Sequence, residues 1–230
     1  MPNPSPTLDD GFFYDMKFTL LAILFLFSIL SCKQHNHQDG TPGLSYHPTI
    51  IYPSIPDSIQ RILKNGDIIL RKGDGPLSFH LSRSTGEDYT HCGIIFKHNS
   101  RWGVIHTLGT DASTKGINGV QTQSLRAFAK QSADSILFIC RPIFKENIGD
   151  SIVISAKRYL KQKVPFDYGF SMISTDKFYC SELLYYIFKD VNNEKNIFDI
   201  KIKNESYILM FSTFFNAKNF IPIYNLKSND

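Results

Sequence analysis

The sequence predicts an α+β fold: a small antiparallel sheet packed against helices. Three observations carry that prediction. Residues 90–97 (THCGIIFK) and 101–108 (RWGVIHTL) are apolar runs joined by His98-Asn99-Ser100, the pattern of a β-hairpin. Residues 148–162 put Ile152, Ala156, Tyr159 and Leu160 on one face at helical spacing. Residues 181–190 form a second apolar helical stretch, and helices of this kind need a sheet to bury them.

Taken in order, the elements read as follows. Residues 57–64 (DSIQRILK) have a short helical pattern with Asp57 or Ser58 as its cap. Asn65-Gly66 turns the chain into residues 67–71 (DIILR), a buried strand. Residues 75–84 open with Pro76, which suits the first turn of a helix because its missing N–H would have no partner there. The hairpin follows. Residues 119–123 read as a short strand, 124–130 (SLRAFAK) as a short helix and 135–141 (SILFICR) as a further strand. Residues 163–177 are irregular and aromatic-rich, and the stretch after Asn192 holds one more strand or helix.

The chain has 230 residues, enough for one ordinary domain with extra segments. Its net charge of +4 is small and its Lys and Arg residues are scattered, so nucleic acid is not an expected partner. Residues 18–30 form an uncharged, largely apolar run after Lys17, too short to span a bilayer as a mature helix and suited to a signal peptide. They end in Ile29-Leu30-Ser31-Cys32, which looks like a bacterial lipobox with Cys32 as the lipidated residue. An ordinary signal peptide or an anchor helix is the alternative. Residues 1–15 fit no part of such a signal, so Met16 competes with Met1 as the start. Loss of residues 1–31 removes three acids and one base and leaves a charge of +6. The expectation is a membrane-anchored lipoprotein of the bacterial cell envelope, with residues 32–50 as a polar tether and 51–230 as a single catalytic domain.

The four cysteines are Cys32, Cys92, Cys140 and Cys180. With Cys32 lipidated three remain, and an odd number in an exported chain points to a free thiol. No C-x-x-C pair is present, so a structural zinc site of the usual kind is not expected. Cys180 opens the helix in FYCSELLYYIF, where free N–H groups and the helix dipole favour a thiolate and could hold an oxyanion. From position alone a small buried hydrophobe is the commoner reading of such a cysteine. A nucleophile needs a base. His35, His37 and His47 lie in the tether, His98 in a turn and His80 on a helix. His91 and His106 differ, because each sits in a strand among apolar residues, near the hairpin end away from the turn. A buried neutral histidine bonded to backbone is the bland alternative for each.

Four pieces now line up: Asp67 in GDIIL, His91 in YTHCGII, PFDYGF, and Cys180 in DKFYCSELL. In this order they resemble the YiiX/YebB-like group of permuted, NlpC-type papain-fold proteins, relatives of the lecithin–retinol acyltransferase-like enzymes. The resemblance runs from about Gly66 to Phe188 and reverses ordinary papain-like order, histidine first and cysteine last. It implies a permuted papain-like fold and a cysteine peptidase or amidase that needs no cofactor. Cys180 would be the nucleophile, His91 the general base and His106 the residue that orients His91. Relatives often carry Glu at the third position. Asp88 and Asp176 are the substitutes should His106 not serve. Cys92 replaces the usual aliphatic residue, and strand alternation turns it away from His91, so it reads as core packing. Tyr168 or Tyr179 would line the substrate pocket, or pack in the core.

Three functions fit these readings. The first is hydrolysis of envelope amides, with peptidoglycan stem peptides as the nearest substrates. The second keeps the nucleophile and acts on acyl groups of lipids or lipoproteins. The third is a module without activity, or one that binds metal through His91, His106 and Cys180, a ligand set that suits zinc.

Overall fold

The computed structural model describes residues 53–172, 175–193, 195–203 and 206–227. The lipobox cysteine Cys32, the start at Met16 and the tether histidines lie outside the described residues. Residues 50–230 cluster as one compact unit.

The sheet has six strands: β1 (Ile68–Arg71), β2 (His91–His98), β3 (Arg101–Leu108), β4 (Gly119–Ser124), β5 (Leu137–Pro142) and β8 (Phe220–Leu226). Their order is β4-β3-β2-β1-β5-β8, and every neighbouring pair is antiparallel. The open stretch after Asn192 therefore supplies an edge strand. It also supplies a separate hairpin, β6 (Ile200–Lys203) with β7 (Ser206–Leu209).

Strand β1 is central and all four of its residues are buried, because both faces of the sheet are covered. Ile68, Leu70, Cys92, Ile94 and Ile105 point to the side of α4 (Ile148–Gln162) and α5 (Cys180–Val191). Ile69, Ile95 and Val104 point to the other side, against Leu125 and Phe128 of α3 (Leu125–Lys130). Helix α3 is capped by Ser124, whose Oγ accepts from Ala127 N at 3.1 Å. Helices α4 and α5 are joined at Asp190, which accepts from Ser155 Oγ at 2.7 Å and Tyr159 OH at 3.0 Å.

Two local expectations are corrected. Helix α1 (Asp57–Ile62) is capped by Pro56, not by Asp57 or Ser58: Pro56 is extended, and Asp57 falls inside the first turn, where its charge meets the helix dipole. Helix α5 begins one residue before the 181–190 stretch, at Cys180, with Tyr179 in the N-cap position.

Asp67 of the GDIIL motif has a structural task. It is fully buried and paired with Arg141 of β5 through two hydrogen bonds, Nε to Oδ1 at 2.7 Å and Nη2 to Oδ2 at 2.8 Å. It also accepts from Lys64 N at 2.8 Å, fixing the turn into β1. Gly66 before it has φ +81°, and a Cβ there would lie 2.5 Å from Gly149 Cα at the start of α4. Only glycine permits both the conformation and the approach.

Candidate active site

The pairing of β2 with β3 runs from Ile94↔Ile105 to His98↔Arg101. At the other end of the hairpin the chain before α5 comes in against both strands. Thr107 Oγ1 of β3 donates to Phe178 O at 3.4 Å, and Cys180 Sγ donates to Thr90 O, just before β2, at 3.9 Å. The stretch 165–178 delivers α5 to this position. Asp167, fully buried, accepts from Gly169 N at 2.9 Å and Ser171 N at 2.8 Å and pairs with Lys177 Nζ at 3.1 Å. Phe178 N bonds Pro165 O and Asp167 N bonds Phe178 O, so the loop closes back on itself directly before Cys180.

Cys180 is 7% exposed and opens α5. Its thiol is held below its ordinary value. The neighbouring Cys92 side chain and the backbone N–H groups of Cys92, Ser181 and Cys180 favour the thiolate, against a burial penalty. The two other buried thiols, Cys92 and Cys140, are pushed well up by burial. At the same helix end Glu182 accepts from Tyr179 N through Oε2 at 3.3 Å. Burial raises the Glu182 carboxyl to about 8, and its Oε1 has no partner among the described residues.

His91 and His106 are brought together. His91 Nε2 lies 3.1 Å from His106 Nδ1, and both rings are buried. Gly93 makes room for them: a Cβ there would be 2.4 Å from Val104 Cγ1 and 3.2 Å from His106 Cβ. Phe128 of α3 stacks on His91 with centroids 5.4 Å apart and meets His106 edge-on at 5.4 Å. Burial holds both imidazoles neutral, His91 well below its ordinary value and His106 down to about 3, with the Arg71 cation pushing each the same way. Among the described residues no hydrogen bond joins either ring to Cys180. Among the described residues no group of three His, Cys, Asp or Glu side chains is placed to hold a metal ion, and His91, His106 and Cys180 are not gathered as ligands.

Tyr179 lines the cavity beside Cys180 and is buried, whereas Tyr168 is 56% exposed and accepts from Thr110 N at 2.8 Å, tying two loops together. Asp88 is exposed and faces Lys227 Nζ at 3.7 Å, and Asp176 is exposed.

Residues the sequence did not single out complete the site. Arg71, at the end of the buried DIILR run, is 5% exposed; its Nη1 bonds Phe128 O at 2.9 Å and Gln131 Oε1 at 2.7 Å, with its guanidinium carbon 4.4 Å over the Phe128 ring. A cation inside an otherwise apolar strand was the available signal. A cavity of about 380 Å³ opens at Cys180, in the range of roughly 300–1,000 Å³ usual for ligand sites. Its walls include Leu77, His80 and Leu81 of α2 (Pro76–Thr85), with Phe170, Leu209 and Phe211. Glu87 steadies that wall by accepting from Phe211 N at 2.9 Å and Ser212 N at 2.6 Å. His80, exposed on α2, shares this cavity with Cys180.

A family model described as "Permuted papain-like amidase enzyme, YaeF/YiiX, C92 family" matches residues 62–219. Among solved structures, the crystal structure of the metalloprotein yiiX from Escherichia coli O157:H7 is similar, with a TM-score of 0.59 and 18% identity. The match covers 71% of this chain and 98% of that one. No curated protein matches the chain. The family model spans every element from β1 to α5, the loop that sets Cys180, and both strand histidines, and so the chain belongs to the permuted papain-like amidases of the YaeF/YiiX, C92 family.

Proposed function

We propose that this amidase is a thiol hydrolase of the bacterial envelope and works through an acyl-enzyme on Cys180. The observation that carries the reading is a thiol at a helix N-terminus, in the wall of a ligand-sized cavity. The Cys180 sulfur attacks the amide carbonyl carbon, and the N–H groups at the start of α5 receive the developing oxyanion. His91 takes the thiol proton and passes it to the leaving nitrogen, so the amine departs neutral. Water then attacks the thioester, and the acid and the free thiol are released. His106, 3.1 Å from His91, fixes the ring and its tautomer. His91 follows Thr90, whose carbonyl faces the Cys180 sulfur, and catalytic hydrogen bonds often tighten only once substrate is bound.

Envelope amides such as peptidoglycan stem peptides are the first substrates to test. The test compares wild type with Cys180→Ala on purified muropeptides and on a panel of fluorogenic amides. Wild-type cleavage that Cys180→Ala reduces at least a thousandfold is the expected result; equal rates would sink the proposal.

The cavity lining favours a second reading. Leu77, Leu81, Phe170, Leu209 and Phe211 offer no charged partner to a stem peptide and suit an acyl chain. Incubation with labelled phospholipid, followed by mass spectrometry of the Cys180 peptide, separates the two. An acyl thioester from lipid and none from peptide favours the second reading.

A further inference from the structure

The cavity at Cys180 is divided by depth and by polarity. Its floor is apolar: Leu209 and Phe211 are buried, and Leu81 and Phe170 are half-buried. Its rim carries His80, exposed on α2, with Ser84 one turn further along the same helix face. Among the described residues no carboxylate, ammonium or guanidinium lines it. The other polar side chains in its walls are engaged. Thr85 Oγ1 donates to Leu81 O at 2.8 Å, Ser181 Oγ donates to Leu209 O at 3.3 Å, and the Tyr179 side chain accepts from backbone at the start of α5. His80 is therefore the wall residue suited to a charged group, and to a negative one: imidazole donates a hydrogen bond from a ring N–H, and when charged it is a cation.

We propose that this site takes N-acyl amino acids: amides that join a long fatty acyl chain to an amine bearing a carboxylate, with His80 as the residue that selects the carboxylate. The inference rests on the reading of Cys180 as nucleophile and narrows what it acts on. A permuted papain-like amidase acts on an amide, and the cavity floor fits a hydrocarbon chain. An ester lipid meets only the second condition and a polar peptide only the first; an acyl amide meets both. Orientation follows from the chemistry. The acyl part stays on Cys180 as a thioester while the amine leaves, so the chain lies on the closed floor and the amine at the open rim. The C–N bond breaks as the C–S bond forms, and the Cys180 proton ends on the leaving nitrogen. Water then cleaves the thioester, giving the free fatty acid and restoring the thiol. The amino acid departs past His80, whose ring N–H donates to its carboxylate.

The test compares N-acetylglycine, N-octanoylglycine, N-lauroylglycine and the uncharged N-lauroylglycinamide, each below its micelle concentration. The readout is amine released by the full-length protein. Wild-type kcat/KM rises at least about a hundredfold from the acetyl to the lauroyl substrate. N-lauroylglycine exceeds N-lauroylglycinamide about tenfold. His80→Ala brings that second ratio to within about twofold of unity and keeps the chain preference, whereas Leu81→Gln cuts the chain preference about tenfold and keeps the carboxylate preference. Both positions lie on α2, none of whose residues is buried, so neither substitution opens the core. A kcat/KM that is flat across chain lengths overturns the proposal. So does a carboxylate preference that is missing in wild type or survives His80→Ala. Calorimetric binding of the same compounds to Cys180→Ala keeps the two ideas apart. Tighter binding of the lauroyl than of the acetyl compound, without Cys180-dependent cleavage, keeps the ligand class and defeats the hydrolase reading. Cys180-dependent cleavage of muropeptides or short amides with no chain preference does the opposite. Lauroyl compounds that are neither bound nor cleaved overturn the proposal outright.

Discussion

The two strand histidines owe their meeting to a residue with no side chain. His91, Gly93 and Ile95 share one face of β2, and the missing Cβ at 93 leaves the room that the imidazoles fill. Gly93→Ala therefore pushes a methyl into Val104 and the Ile105 carbonyl oxygen, which lie 2.4 Å and 3.0 Å away. The expected loss is about 1–3 kcal/mol, measurable by urea denaturation, and the His91–His106 contact should open with it. The imidazoles also make the fold acid-sensitive. Both are held below their unfolded value, so the fold favours the neutral rings. Their contribution is complete above about 6.5 and is lost as pH falls from there toward about 3, because the unfolded chain binds the protons first. His106→Asn removes one of the two groups, and its melting temperature should fall less than that of wild type between pH 7 and 4, as scanning calorimetry would read.

Helix α5 joins packing to chemistry within a single element. Leu183, Leu184, Ile187 and Phe188 bury its apolar face, and this anchors the end that carries Cys180. The first turn holds Glu182, fully buried, with its carboxyl raised to about 8 by desolvation. A carboxyl raised on folding stabilises the fold below its unfolded value near 4.5, and that stability is lost as pH rises to about 8. Glu182→Gln keeps an acceptor for Tyr179 N and cannot ionise. The fall in melting temperature between pH 5 and 8 should be smaller in this variant than in wild type, as scanning calorimetry would read. Equal slopes would mean that Glu182 ionises freely in the folded state. Helix α2 behaves differently: none of its residues is buried, and Leu77 and Leu81 face the cavity rather than the core. Its apolar positions belong to the site.

At the scale of the whole molecule, the buried Asp67–Arg141 pair holds the neighbouring strands β1 and β5 and the turn from Lys64 in one arrangement. Asp67→Asn leaves Arg141 without its carboxylate and should cost about 3–5 kcal/mol of stability, with cleavage by the folded fraction unchanged if Asp67 has no chemical role. Periodicity and turn residues made nearly every element legible, since the hairpin strands, α4 and α5 follow the spacings of their apolar residues. The stretch after Asn192 was not resolved into strands because β8 is half exposed at the sheet edge and lacks a clean apolar alternation. The sequence by itself determined the family, through YTHCGII and DKFYCSELL in permuted order, and with it the candidate trio Cys180, His91 and His106. It could not determine which groups touch the sulfur. Only the docking of α5 against the ends of β2 and β3 decided that Thr90 O meets the Cys180 sulfur. Nor could it tell that Phe128 and His80 belong to the site, because each arrives from an element distant in the chain and is brought there by packing alone.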